Sequence, residues 1–165
     1  MRPLALRTAP APLVITALTP LAGCTADADP LSSDGAVAHY EGLVDELEDA
    51  LASSDTTWQH APDTTKVAEH DGTCRLTPGT WQPESPLAEP EGEDGWEKRI
   101  AQLNPVLAAH GFTEIEEASA QGSRSVMESS DSHGASLEIT AEGRIRIWDA
   151  TVDAEPCTPE TLGIG

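Results

Sequence analysis

The chain has 165 residues and a formal net charge of −20, with 29 Asp and Glu against 9 Lys and Arg. This excess of acid disfavours nucleic acid as a partner, because phosphates are bound through Lys and Arg. It also disfavours adhesion to an anionic membrane surface through charge alone. The length suits one domain with a modest hydrophobic core.

The N-terminal segment, residues 1–23, has the features of an export signal. Arg2 and Arg7 are followed by an apolar stretch without acidic residues, and small residues come just before Cys24. The apolar stretch is too short, and too interrupted by proline, to form a stable spanning helix. The sequence therefore predicts a signal peptide over residues 1–23, with a disordered tail as an alternative.

The motif Leu21-Ala22-Gly23-Cys24 resembles the lipobox of bacterial lipoproteins. The resemblance implies cleavage before Cys24, a diacylglycerol on its sulfur and acylation of the new amino terminus. The protein would then be anchored at the extracytoplasmic face of the cell membrane. An ordinary secretory signal is the alternative. Residues 24–35 are short, polar and turn-forming, and they predict a flexible tether before a single exported domain over residues 36–165.

Residues 36–52 carry apolar side chains at intervals of three and four, the spacing of one helix face. These positions are Val37, Tyr40, Val44, Leu47 and Leu51. Acidic side chains occupy the other face: Asp45, Glu46, Glu48 and Asp49. The pattern predicts an amphipathic helix with Ser33 or Asp34 as N-cap. Its acidic face is interpreted as a solvated surface, with a docking surface as the alternative.

The middle of the chain predicts a hairpin, a loop and a second helix. Two short β-leaning pieces, 64–69 and 73–77, flank the turn His70-Asp71-Gly72. Residues 83–95 contain three prolines and predict an exposed loop. A helix is expected over 94–110, ending at Gly111, with one apolar face: Trp96, Ile100, Leu103 and Leu107. Pro105 should either kink this helix or start a fresh turn capped by Asn104.

After Gly111 the pattern changes to alternation, which is typical of strands. Four strands are predicted: 112–118, 124–129, 135–140 and 144–152. The positions expected to face inward are Val126, Leu137, Ile139, Ile145 and Ile147. The expected fold class is therefore α+β, with two amphipathic helices packed on one face of an antiparallel sheet of about four to six strands.

Cys74 and Cys157 remain as an even pair once Cys24 is assigned to the lipid. In an oxidising compartment the pair predicts a disulfide. A metal pair or a reactive thiol is the alternative, but neither cysteine has His or Cys at ligand spacing.

A search for catalytic motifs finds no nucleophile elbow, zinc-binding helix motif or phosphate-binding loop. The histidines are interpreted as surface or capping residues: His39, His60, His70, His110 and His133. The tryptophans are interpreted mainly as core anchors, with a sugar-stacking platform as the alternative: Trp58, Trp81, Trp96 and Trp148. No catalytic residue, metal site or cofactor is predicted.

The order of these features resembles the LppA-like lipoproteins and related small exported proteins of actinobacteria. The resemblance lies in the lipobox, the acidic first helix, the segment from Trp96 to Phe112 and the two later cysteines. It implies an envelope lipoprotein without a catalytic set that can be transferred. The expected function is non-enzymatic binding of an envelope protein or a small ligand, through the meander edge and the tryptophans. A carboxylate-dependent cell-wall hydrolase is the alternative.

Overall fold

The computed structural model describes residues 28–52 and 55–165. The predicted signal peptide, residues 1–23, and Cys24 lie outside this part of the chain. The helices within it are α1 (Ser33–Leu51) and α2 (Gly92–Ala109), and short 3-10 helices lie at Pro62–Thr64 and Glu160–Leu162. The strands are β1 (Leu31–Ser32), β2 (Trp58–Ala61), β3 (Lys66–His70), β4 (Thr73–Thr77), β5 (Gly79–Pro83), β6 (Ser119–Gln121), β7 (Arg124–Ser130), β8 (Ser136–Thr140), β9 (Ile145–Trp148) and β10 (Ala150–Asp153). Within the described residues, none of the helices is both long and apolar enough to cross a membrane.

The strands form two sheets. A four-stranded sheet has the order β1-β10-β4-β3, and a six-stranded sheet has the order β2-β5-β9-β8-β7-β6. All pairings are antiparallel except that of β1 with β10, which is parallel. The predicted α+β class is confirmed, and the strands divide between two sheets instead of one.

The division arises at Asp149, in the middle of the predicted strand 144–152. Asp149 has a φ of 64°, which is a left-handed conformation that ends β9 and turns the chain into β10. Asp adopts this conformation more readily than most residues because its short polar side chain can bond locally. The predicted single strand is therefore two strands, one in each sheet.

The predicted strand 112–118 is not formed. Phe112 makes only an isolated bridge with Asp131, and the next strand, β6, begins at Ser119. The Asn104 amide supplies the reason, because it bonds both backbone groups of Ile115, at 2.9 Å to the N–H and 3.0 Å to the carbonyl. These bonds satisfy the backbone groups of Ile115 without a partner strand.

The predicted strands 124–129, 135–140 and the first part of 144–152 are confirmed as β7, β8 and β9, which pair in sequence. The strand β6, which pairs with β7, was not predicted. The five predicted inward positions are all buried: Val126, Leu137, Ile139, Ile145 and Ile147. One core cluster joins four of them to residues of both helices and of the four-stranded sheet: Leu137, Ile139, Ile145 and Ile147. Alternation along the strands therefore located this part of the core correctly.

Helix α1 begins at Ser33, inside the predicted tether 24–35, and Leu31–Ser32 already form β1. Its N-cap is Ser32, whose side chain makes no capping bond, so the prediction of Ser33 or Asp34 as cap is wrong. The apolar face is confirmed in its centre, where Tyr40 and Leu47 are fully buried.

Helix α2 runs through Pro105 without interruption. Of the two alternatives predicted for Pro105, the fresh turn capped by Asn104 is wrong, because that side chain is bonded to Ile115. The predicted end at Gly111 is confirmed. Gly111 has a φ of 77°, and the N–H of Phe112 donates to the carbonyl of Leu107 at 2.9 Å, which closes a Schellman motif.

The predicted β3–β4 hairpin is confirmed. Asp71 and Gly72 have φ values of 50° and 75°, as a tight two-residue hairpin turn requires. Cys74, in β4, is joined to Cys157, which lies beyond β10, so the predicted disulfide is also confirmed.

Candidate functional site

A cleft of about 500 Å³ lies beside helix α1. We call it the α1 cleft, and we define it by Val37, Tyr40, Glu41, Asp45, His60, Thr65, Leu76, Pro78, Trp81 and residues 163–165. These residues come from α1, from the β2 and β5 strands and from three other parts of the chain. The sequence singled out several of them separately, but no sequence pattern brought them together.

One wall of the α1 cleft is a stacked pair of rings. His60 and Trp81 face each other across the β2–β5 ladder, with ring centroids 4.7 Å apart and planes 26° apart. Gly79 allows this position, because a Cβ atom there would lie 2.7 Å from the His60 Nε2. Its φ of 130° is also rare for other residues. The wall is therefore built by local backbone geometry as well as by stacking.

The hydrogen bonds of Thr65 fix the tautomer of His60. The Thr65 hydroxyl donates its single hydrogen to the carbonyl of Pro78 at 2.9 Å. It therefore accepts from the His60 Nε2, which lies 3.1 Å away. In the neutral ring, Nδ1 is then left as a hydrogen-bond acceptor.

Two carboxylates stand on the helical side of the cleft. Glu41 and Asp45 lie one turn apart on α1 and are both exposed. No Lys or Arg lies among the described residues that line the cleft. The apolar part of the lining comes from Val37, Leu76 and Ile164. The α1 cleft therefore combines apolar and aromatic side chains with polar groups and two negative charges.

A larger cleft, of about 750 Å³, lies beside the disulfide. Its lining includes Glu69, Arg75, Asp153 and Glu155, and it contains no aromatic side chain. The Arg75 guanidinium is already bound to the Thr151 hydroxyl at 2.6 Å. Because ligand sites usually combine apolar and aromatic surface with a few polar groups, the α1 cleft is the stronger candidate.

The tryptophans are all partly exposed. Trp58, Trp81 and Trp96 pack against the core, which agrees with the anchoring role predicted for them. Trp148 instead carries the Arg146 guanidinium 4.8 Å from its ring centroid. Trp81 is the one that lines the α1 cleft.

Three histidines that are distant in sequence lie together, and we call them the histidine cluster: His39, His110 and His133. The His39 ring centroid is 5.7 Å from that of His110 and 5.8 Å from that of His133. All three are half-buried, and His110 is the C-cap residue of α2, in agreement with the capping role predicted for the histidines. Among the described residues, no group of three or more His, Cys, Asp or Glu has the geometry to hold a metal ion.

Burial, helped by the neighbouring His110 and His133, lowers the pKa of His39, while the negative charge of Asp131 opposes this effect. The His39 Nε2 is buried without a hydrogen-bond partner in the described structure. Lowering the pKa keeps this ring neutral, which avoids placing a charge beside two other imidazoles.

Asp131 connects this cluster to the core. Its carboxylate accepts from the Tyr40 hydroxyl at 2.9 Å and from the backbone N–H groups of His133 and Ala135 at 2.9 and 2.8 Å. Burial, followed by the nearby Asp131 charge, raises the pKa of Tyr40. The hydroxyl therefore stays protonated and donates its hydrogen away from the α1 cleft.

Glu48, on the last turn of α1, has a carboxyl group with a raised pKa. Burial raises its pKa to about 7, with additional effects from Asp45 and Asp49. The last turn of α1 contains no basic residue, and the helix dipole places negative charge at this end. Glu48 is not part of the α1 cleft lining.

We expect Glu48→Gln to raise the free energy of unfolding by about 1 to 2 kcal/mol at pH 8 and to leave it nearly unchanged at pH 4.5. A carboxyl whose pKa is higher in the folded state than in the unfolded state destabilises the fold as pH rises from about 4.5 to about 7. The magnitude is reduced here because the side chain is partly exposed. Urea denaturation at the two pH values measures the difference.

Glu41→Gln is the matched control, because it removes the same charge from an exposed position on the same helix. It should give a small change with little dependence on pH. An equal stabilisation by Glu48→Gln at both pH values would contradict the burial argument.

Comparison of the chain with known protein families, with curated protein sequences and with solved structures found no match. The resemblance to LppA-like lipoproteins therefore remains an expectation from the sequence.

Proposed function

We propose that the protein is an extracytoplasmic lipoprotein, anchored in the cell membrane through acyl chains on Cys24, whose domain binds a small ligand in the α1 cleft without turning it over. The anchor is supported by Leu21–Cys24 at the end of an acid-free apolar segment. One observation carries the binding role: the stacked His60–Trp81 wall in a cleft that also presents apolar side chains and polar groups.

The position of Glu48 supports binding over hydrolysis. A carboxyl group that works as a general acid near neutral pH needs a raised pKa and must also reach the substrate. Glu48 has the raised pKa but lies outside the cleft lining. The carboxylates that do line the cleft, Glu41 and Asp45, are exposed to solvent.

Tryptophol, a neutral indole with a short alcohol chain, is expected to bind in the cleft and to shift the amide NMR signals of its lining residues. Trp81→Ala should reduce the affinity about tenfold or more, because it removes the aromatic wall. Trp148→Ala is the matched control, since that ring does not line the cleft, and it should leave the affinity unchanged.

Two results would contradict the proposal. The first is equal loss of tryptophol binding in the Trp81→Ala and Trp148→Ala variants, which would place the site elsewhere. The second is release of soluble fragments from peptidoglycan by the wild-type protein, abolished by Glu41→Gln or Asp45→Asn while the fold remains intact. That outcome would establish a carboxylate-dependent hydrolase.

A further inference from the structure

We infer that the ligand of the α1 cleft is an organic cation, with an ammonium group on an apolar body about the size of one or two fused rings. This inference rests on the proposed binding function and names the chemical class of the ligand. It follows from three properties of the cleft: its charge, its free hydrogen-bonding groups and its apolar side chains.

The charge of the cleft comes from Glu41 and Asp45. Ion pairs elsewhere in the described structure involve other acids: Asp71, Glu46 and Glu138. Neither cleft carboxylate has a basic partner within this part of the chain, and the lining provides no Lys or Arg. An anionic ligand would meet repulsion from both groups, whereas an ammonium would be attracted by both.

The side-chain donors around the cleft are largely engaged. The Tyr40 hydroxyl donates to Asp131, and the Thr65 hydroxyl donates to the carbonyl of Pro78. The His60 Nε2 in turn donates to Thr65. None of these three hydrogens is available to a ligand without breaking an existing bond.

The groups that remain are mainly acceptors. They are the carboxylates of Glu41 and Asp45 and the Nδ1 of His60, against the single indole N–H of Trp81. A ligand that satisfies such a site must bring donors of its own. An ammonium group carries three N–H donors and no acceptor, so its chemistry matches the site in both charge and hydrogen bonding.

A bare inorganic cation would not cover the apolar side chains that line the cleft. Leu76 and Tyr40 line the cleft but are already buried. Its exposed apolar surface comes from Val37, Ile164 and Trp81, which are partly exposed. A hydrated inorganic ion would leave this surface in contact with water. A ring-sized apolar body covers it and gains the free energy of burial, and the cleft volume of about 500 Å³ accommodates such a body.

Three probes with the same indole ring separate the contribution of ligand charge from that of apolar contact. They are tryptamine, which is a cation, tryptophol, which is neutral, and indole-3-acetate, which is an anion. At low ionic strength and pH 7, tryptamine should bind about three- to tenfold more tightly than tryptophol, because two exposed carboxylates each contribute modestly. Indole-3-acetate should bind most weakly. The preference should shrink as salt screens the charges. NMR titration of the full exported domain gives all three dissociation constants.

Glu41→Gln and Asp45→Asn should each bring the affinity for tryptamine closer to that for tryptophol, while tryptophol binding stays unchanged. Asp49→Asn is the matched control, because it removes one charge from the same helix outside the lining. It should preserve the preference for tryptamine.

Each alternative outcome identifies which proposal fails. Equal binding of tryptamine and tryptophol would overturn the cation inference and leave ligand binding in the cleft standing. Failure of all three probes to bind at millimolar concentration would overturn both. A dimer in solution that dissociates on Trp81→Ala substitution would also overturn the inference, because a second copy of the chain would then occupy the cleft.

Discussion

Removal of the Cys74–Cys157 disulfide is expected to lower the free energy of unfolding by about 4 to 5 kcal/mol. The bond links residues 83 apart in sequence, and it holds the segment after β10 against the β4 strand. Without it, the unfolded chain gains the conformational entropy of a long open loop, so the unfolded state becomes more favourable. This loss is comparable to the whole stability of many small domains.

The double variant Cys74→Ala with Cys157→Ala is the cleanest test, because it leaves neither thiol to react. Urea denaturation of this variant and of the oxidised protein gives the difference in free energy. The slope of the transition should also rise, because the unfolded chain without the cross-link is more expanded. A loss of less than about 1 kcal/mol would mean that loop entropy does not govern the contribution of this bond.

Cys24→Ser is expected to move nearly all of the protein from the membrane fraction to the soluble fraction. The proposed anchor consists of two or three acyl chains, and each buried methylene contributes about 0.8 kcal/mol to membrane binding. Among the described residues, none of the helices is long and apolar enough to span a bilayer. Fractionation of cells that express each form, followed by detection of the protein, measures the change.

Thr25→Ser is the matched control for this experiment, because it is a mild change next to Cys24 that leaves the sulfur in place. It should remain in the membrane fraction. If Cys24→Ser also remained there, the anchor would not depend on this cysteine and the lipoprotein proposal would fail.

The parts of the fold that the sequence predicted are those in which burial repeats at a regular interval. Helix α1 and the strands β7, β8 and β9 each place alternate or periodic apolar residues in the core, as at Leu47 and Ile139. The hairpin turn at Asp71 and Gly72 was predicted because few residues tolerate a positive φ. In each case a local requirement, either periodic burial or a positive φ, determines which residue types occur in a short stretch of sequence.

The parts that the sequence missed depend on contacts between distant segments. The strands that carry His60 and Trp81 show no alternation of burial, so their pairing gave no signal. The strand pattern continues across Asp149, which concealed the change of sheet. The histidine cluster draws on α1, the end of α2 and the β7–β8 turn, and only the packing of these elements brings its rings together.

The attachment of the first described residues bears on how far the domain stands from the membrane. The Asp29 N–H donates to the carbonyl of Ser132 at 3.0 Å, and the Asp29 carbonyl contacts the His133 Nδ1 at 2.5 Å. The chain is therefore held by the β7–β8 turn well before residue 35, where the predicted tether ends.

Under the proposed lipidation, the stand-off distance is set by the four peptide units between Cys24 and Ala28, which span at most about 14 Å when fully extended. The domain would thus be held within about one and a half nanometres of the lipid headgroups at this point. Ala28 borders the larger cleft, whose lining includes Asp153 and Glu155. Anionic headgroups would repel these carboxylates, and this repulsion disfavours an orientation in which the domain lies flat on the bilayer.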